Sequence, residues 1–157
     1  MSLLLRNLLF TVLVPGTVAV YAPLWIAGGR AGGGGGALAA LAIAAIVLGA
    51  ALYVWCVWDF ATFGRGPPAP VDAPRRLVVR GPYRLVRNPM YVAVLAVILG
   101  QVAWFRSGAI ALYGAAVAAV FALFVRLYEE PHLRAVFGSE YADYTGRVGR
   151  WLPRCRR

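Results

Sequence analysis

The sequence contains no lysine and few acidic residues, so arginine alone carries its positive charge. All 16 basic residues are arginines, against six aspartates and glutamates, and the formal net charge is +10. In a soluble domain this imbalance would indicate a nucleic-acid partner. Hydrophobic residues, however, make up 61% of the chain, whereas about half is usual in soluble domains. Because they occur in long blocks, the composition favours membrane lipids and not nucleic acid as the partner.

Cysteine and histidine are almost absent, which argues against a disulfide framework or a metal centre. Cys56 lies within an apolar block and Cys155 lies in a basic tail, so we do not expect them to pair. No Cys/His pair has the spacing of a metal site, and the single histidine, His132, has no partner at helical spacing. We therefore predict no metal site.

Four apolar blocks predict an all-α integral membrane protein with about four transmembrane helices. They cover about residues 3–27, 37–60, 89–105 and 109–127, and each approaches the roughly 20 residues that a spanning helix needs. The short turn at residues 106–108 predicts that the last two helices form a C-terminal helical hairpin. The length of 157 residues suggests one domain.

The arginines are distributed unevenly between the two sides that these helices define. Fourteen lie in the N-terminal stub, in the long loop at residues 61–88 and in the tail, whereas only Arg30 and Arg106 lie on the other side. Positively charged loops stay in the cytoplasm. We therefore expect a multi-pass protein of the cell (inner) membrane with both termini and the long loop in the cytoplasm.

The charged tail has apolar residues at intervals of three and four, a pattern that predicts an amphipathic helix broken near Gly138. These residues are Leu133, Val136, Phe137, Tyr141, Tyr144, Val148 and Trp151. Two interpretations are open: the helix lies on the anionic leaflet, or it covers a site at the membrane surface. The spacing alone favours the first.

Two polar features flank the predicted hairpin. Asn88-Pro89 is typical of a helix start, with asparagine as the N-cap, and the nearby Arg84 and Arg87 make an anion site possible there. Contact of these arginines with lipid headgroups is the simpler alternative. In "RLYEEP", Arg126 lies three and four residues before Glu129 and Glu130, which is also the spacing of an ordinary helix-end ion pair. The hairpin would bring both features to one side.

Two segments together resemble a known enzyme family. "GPYRLVRNPMYV" and "EEPHLRAVFGSEYADYTGRVGRWLP" are similar to motifs of the isoprenylcysteine carboxyl methyltransferase family, which also takes in phospholipid methyltransferases. The resemblance covers about residues 64–153. It implies that residues 61–157 form a methyltransferase catalytic region, which follows the two N-terminal transmembrane helices that the apolar blocks predict within residues 1–60. It also implies S-adenosylmethionine as the cofactor and a hydrophobic or lipid-like acceptor, of which an isoprenylcysteine-type carboxylate is one example.

The resemblance also implies roles for individual residues. Cofactor-binding residues would be Leu77, Val78, Tyr83, Asn88, Pro89, Met90, Tyr91 and Glu129, and catalytic candidates would be Arg126 and Glu130. The chain departs from the family pattern in having Asn88 where the family has histidine, and Val125 where the prenylcysteine enzymes have an arginine. His132 and Glu130 are the candidate bases near the site.

Two other functions remain open from the residues alone. A four-helix exporter of small cations would need an acid within a helix, and Asp59 near the end of the second block is the candidate. A non-enzymatic scaffold could grip anionic lipid with the basic tail. The sequence predicts no particular oligomeric state.

Overall fold

The computed structural model describes residues 13–33, 35–64 and 76–154, and these residues form a helical bundle. In chain order the helices are α1 (Ala22–Ala27), α2 (Ala37–Asp59), α3 (Pro89–Phe105), α4 (Gly108–Phe124) and α5 (Glu130–Arg147). Shorter elements are the π-helical turns Thr17–Tyr21, Phe60–Gly64 and Val125–Glu129, and the 3₁₀ turn Gly81–Arg84. The last three apolar blocks are thus confirmed as helices, whereas residues 3–12 of the first block lie outside the described residues.

Two helices are long and apolar enough to cross a membrane, namely Ala37–Phe63 and Gly108–Arg147. The second has 40 residues, about 60 Å at 1.5 Å per residue and twice the ~30 Å of a bilayer interior. Its apolar half, α4, suits that interior, and its charged half, α5, belongs outside it. Thr17–Ala27 and Pro89–Phe105 are apolar but shorter, so the expected count of four spans stays a prediction.

Small residues let α2 and α3 approach closely. A Cβ atom on Gly49 would lie 2.8 Å from the Ala93 carbonyl oxygen, and one on Gly100 would lie 2.8 Å from the Ala42 carbonyl oxygen. In each helix the two small residues are seven apart and therefore lie on one face. Membrane helices commonly pack through such residues, because van der Waals contact replaces the hydrophobic drive that lipid cannot supply.

Proline-containing turns in the first helical segment are stabilised by side chains from the hairpin. Pro23 has no N–H, so the Ala19 carbonyl four residues earlier lacks its α-helical donor. The Gln101 side chain donates to this carbonyl at 2.5 Å. The Tyr113 hydroxyl donates to the Val18 carbonyl at 2.9 Å. Since an unsatisfied carbonyl is costly in an apolar interior, these bonds attach the first segment to α3 and α4.

The predicted hairpin between α3 and α4 is confirmed. Helix α3 ends at Arg106, whose φ of 47° is left-handed, and Ser107 accepts a hydrogen bond from the Ile110 N–H as the N-cap of α4. The tight reversal places the start of α3 and the end of α4 at the same pole of the bundle. This is the pole where both quoted segments meet.

The tail folds back onto the protein. Helix α5 breaks at Gly138, where φ is 51° and ψ is −121°, as the sequence predicted. Its buried residues Tyr141 and Tyr144 pack against Leu77 of the loop before α3, and the Tyr144 hydroxyl donates to the Tyr83 carbonyl at 2.7 Å. The favoured interpretation, an amphipathic helix whose apolar face lies on the anionic leaflet, was therefore wrong for Tyr141 and Tyr144. These residues pack against other parts of the protein.

Candidate active site

A cavity of about 290 Å³ opens where the loop before α3, the start of α3, the end of α4 and helix α5 meet. Its volume is at the lower end for small-molecule sites. Most of its wall is apolar. Seven of the eight residues predicted to bind a cofactor lie in the wall: Leu77, Val78, Tyr83, Asn88, Met90, Tyr91 and Glu129. The fold thus brings together residues that are up to 52 positions apart in the chain.

Two predicted residues lie elsewhere. Pro89 is fully buried at the start of α3 and is not part of the cavity wall. Arg126 is exposed and lines a separate surface groove, whereas its neighbour Val125 is fully buried. The structure therefore does not bring Arg126 to the cavity. The other catalytic candidate, Glu130, does line the cavity, as does His132.

Tyr91 connects the two helices of the hairpin at the cavity. Its hydroxyl donates to Glu129 Oε2 at 2.8 Å, and its ring lies 4.6 Å from that of Phe121. The ring contact holds the phenol in place, and the hydrogen bond orients the carboxylate. A carboxylate in a mainly apolar wall is typical of a group that binds a ligand.

Glu130 is held by two arginines from different parts of the chain. Its Oε1 accepts from Arg87 Nη1 at 2.9 Å and from Arg150 Nε at 2.7 Å, and its Oε2 accepts from Arg150 Nη2 at 2.7 Å. Burial raises the pKa of the Glu130 carboxyl, but the Arg150 hydrogen bonds and the charges of Arg87 and Arg150 outweigh it, so the pKa is lowered overall. Glu130 is an ionised carboxylate with both oxygens engaged.

The start of α3 is attached to the tail. Helix α3 begins at Pro89 as predicted, but the Asn88 side chain makes no capping hydrogen bond. It donates instead to the Arg150 carbonyl at 3.0 Å, while the Arg87 N–H donates to the Gly149 carbonyl at 2.9 Å. Asn88 is therefore the N-cap residue by position, as predicted, but its side chain does not cap the helix. The tail segment competes successfully for this side chain because it lies directly against the loop.

The turn that carries Tyr83 rests on the end of α2. Gly81 has a φ of 51°, and a side chain on it would collide with Asp59 and Trp55. Tyr83 packs on Cys56, and its ring lies 5.4 Å from that of Phe60. Glycine is therefore required at residue 81, both for its backbone conformation and for lack of space for a side chain. The contacts with the end of α2 position the Tyr83 side chain in the cavity wall.

Comparison with known families identifies the protein class. The family model for phospholipid methyltransferases matches residues 37–140, about two thirds of the chain. The chain belongs to the phospholipid methyltransferase family. No curated protein and no solved structure matches it.

Membership of the phospholipid methyltransferase family makes the chain a membrane methyltransferase for a lipid-like substrate. The matched region runs from the start of α2 into α5 and contains every cavity residue that the sequence predicted to bind a cofactor. Residues of the tail strap, Val148–Trp151, lie beyond the match. The site of this phospholipid methyltransferase family member therefore includes a segment that the family model does not cover.

The sequence reasoning missed Arg150 and did not assign a partner to Arg87. Both arginines lie in stretches where many arginines occur, so neither stood out. The signal that could have found Arg150 is its position one residue before Trp151, whose ring lies 6.3 Å from that of Tyr91. Because Trp151 packs near Tyr91 at the cavity, the preceding residue Arg150 also lies close to the site.

Proposed function

We propose that the protein is an S-adenosylmethionine-dependent membrane methyltransferase that transfers a methyl group to a hydrophobic or lipid-like acceptor. The observation that carries this proposal is the cavity itself. It is apolar along α3 and α4, and it ends at a cluster of charged side chains formed by Arg87, Glu129 and Glu130. One site thus offers polar groups for a zwitterionic cofactor and an apolar wall for a lipid-like acceptor.

The charged end of the cavity fits the methionyl part of this cofactor, which carries an ammonium and a carboxylate. Glu129 supplies a carboxylate that is oriented by Tyr91 through one of its oxygens. Arg87 supplies a buried Nε that has no hydrogen-bond partner among the described residues. A buried donor without a partner is costly, and a ligand carboxylate would satisfy it. Glu129 would therefore hold the ammonium group and Arg87 the carboxylate.

When bound, this cofactor supplies a methyl group that is already activated on a sulfonium. The chain then has to align the acceptor and exclude water. Tyr83 and Leu133 close the cavity on the loop and tail sides. The two arginines on Glu130 hold the tail against the loop, so we assign Glu130 a positioning role rather than that of a base.

The acceptor would lie along the apolar wall. Val94, Val120, Phe121 and Phe124 line this part of the cavity and belong to α3 and α4. An isoprenylcysteine-type carboxylate is one acceptor that fits, and such a nucleophile needs no general base near neutral pH. For an amine acceptor, His132 in the cavity wall is the candidate base.

The arginines around the charged end of the cavity support an orientation of the protein in the membrane. The exposed arginines Arg84, Arg126, Arg134 and Arg147 lie in the elements around the charged end of the cavity. By the positive-inside rule these arginines support an orientation in which this end faces the cytoplasm, the side on which we also predict both termini.

Methyl transfer tests the proposal directly. The purified full chain is incubated in detergent with a bacterial lipid extract and S-adenosylmethionine labelled on its methyl group. We expect label in the organic phase, and we expect Glu129→Gln to reduce it by ten-fold or more. As a matched control, Glu140→Gln changes an exposed acid of α5 and should keep the wild-type rate. Unlabelled lipids with the wild-type protein from several extracts would contradict the proposal.

A further inference from the structure

An open groove of about 420 Å³ lies outside the cavity, on the surface formed by the π-helical turn Val125–Glu129 and the start of α5. It is lined by Arg126, Glu130, Pro131, Arg134 and Ala135. Arg126 and Arg134 are exposed. Both side chains line the same groove, so one ligand lying in it can contact both guanidinium groups.

The groove carries excess positive charge. In the described part of the chain, neither Arg126 nor Arg134 forms an ion pair, because the recorded pairs are those of Glu130 with Arg87 and Arg150. Glu130 also lines the groove, but both of its oxygens are engaged by these two arginines. Its charge is therefore already balanced. Two exposed guanidinium groups that form no salt bridge among the described residues suit a phosphate, which accepts several N–H bonds at once.

Two exposed apolar side chains lie near the groove. Leu123 at the end of α4 and Leu127 in the π-helical turn that follows are 57% and 70% exposed. Large apolar side chains with this exposure, on a helix suited to the bilayer interior, face acyl chains. Leu127 directly follows Arg126, so the exposed apolar side chains end where the basic groove begins.

We propose that this groove binds the headgroup of an anionic phospholipid, with Arg126 and Arg134 on its phosphate and the acyl chains along Leu123 and Leu127. Charge complementarity and the position of the groove at the end of a membrane-suited helix select this occupant. Basic pockets at the cytoplasmic ends of transmembrane helices bind anionic headgroups in this way. The groove is distinct from the cavity, and the lipid in it is a bound partner, not the methyl acceptor.

The test measures binding of short-chain phosphatidylglycerol to the full chain in a zwitterionic detergent. The double variant Arg126→Gln/Arg134→Gln should bind at least about ten-fold more weakly than wild type, since hydrogen bonds between charged groups are lost. The control Arg147→Gln/Arg154→Gln removes the same charge from two exposed arginines of the tail and should stay within about two-fold. An equal loss in both doubles would mean diffuse attraction to a basic surface and would overturn the proposal.

Further arms separate the possible sources of the phosphate. Short-chain phosphatidylcholine should bind at least about ten-fold more weakly than phosphatidylglycerol, because its headgroup is neutral overall. Inorganic phosphate at the same concentration should not displace the lipid, and Leu127→Asn should weaken lipid binding; displacement, or an unaffected Leu127→Asn, would show an anion site without a lipid role. If the double variant fails to fold, the single variant Arg126→Gln provides the comparison, and wild-type affinity there contradicts the proposal.

Discussion

The Tyr91 hydroxyl donates a hydrogen bond of 2.8 Å to Glu129 Oε2 and so joins the first turn of α3 to the last turn before α5. The two residues are 38 positions apart, yet the hairpin makes them neighbours. Tyr91 thereby orients the carboxylate that we propose to hold the cofactor. A hydrogen bond to a charged group contributes about 1.5–3 kcal/mol, enough to affect binding measurably.

Tyr91→Phe tests this orientation. The variant keeps the ring contact with Phe121 and loses only the hydroxyl. We expect S-adenosylmethionine to bind about ten-fold or more weakly, because the carboxylate is no longer held in one direction. The melting temperature in detergent should change little in comparison. Tyr128→Phe is the matched control, since Tyr128 is 46% exposed; equal weakening in both variants would contradict the role of Tyr91.

Glu130 should make the stability of the folded protein depend on pH in the acidic range. Its pKa is lowered in the folded protein from the ordinary value of 4.5, so its ion pairs stabilise the fold fully above that value. This stabilisation is lost as the pH falls through the lower, folded pKa. We expect the melting temperature of wild type to drop in this acidic range.

The variant Glu130→Gln supplies the comparison for that pH profile. It should be less stable than wild type at pH 7, because removing one partner leaves the side chains of Arg87 and Arg150 without a counter-charge. It should also lose part of the acid-dependent drop. A profile identical to that of wild type would show that Glu130 is not the titrating group.

Gly81→Ala should disturb the turn that carries Tyr83. Alanine at a φ of 51° costs about 1–2 kcal/mol, and its methyl group would also collide with Asp59. We expect a lower melting temperature and weaker cofactor binding. Gly108→Ala is the control, because a side chain there meets open space. Wild-type stability in Gly81→Ala would contradict the described packing.

Gln101→Leu tests the attachment of the first helical segment. The variant preserves bulk and removes the donor to the Ala19 carbonyl. Side-chain hydrogen bonds between membrane helices average about 0.6 kcal/mol, so the expected fall in melting temperature is small. It should be larger than that of Gln101→Glu at a pH where the acid is protonated and can still donate. An equal fall in both variants would indicate loss of packing instead.

The hydrophobic pattern predicted most of the helices, because helix length in a membrane is governed by apolar blocks. Both ends of α3 were predicted to the residue. Proline is favoured at the first position of a helix, and the tight turn at residues 106–108 ends the helix at Phe105. The interactions of the tail could not be predicted in this way. Asn88 is a good N-cap by residue type, but tertiary contact with the Arg150 carbonyl determines what its side chain does.

The sequence predicted which residues form the site better than it predicted the contacts between them. The quoted motifs contain five of the seven predicted residues that lie in the cavity wall, and the other two, Leu77 and Val78, lie just before the first motif. Arg126 was placed in the site because it lies one residue after the position of the family arginine and three and four residues before Glu129 and Glu130. The π-helical turn Val125–Glu129 bonds the Glu130 N–H to the carbonyl five residues earlier, which alters the helical register there. Spacing rules for an ordinary α-helix do not apply across such a turn.

Isothermal calorimetry of S-adenosylmethionine binding to the detergent-solubilised chain tests the central claim most directly. We predict saturable binding to wild type and a loss of at least about ten-fold in affinity for Glu129→Gln, with Glu140→Gln unchanged. No heat of binding to folded wild-type protein, or equal affinity for Glu129→Gln, would contradict the assignment of this cavity as the cofactor site.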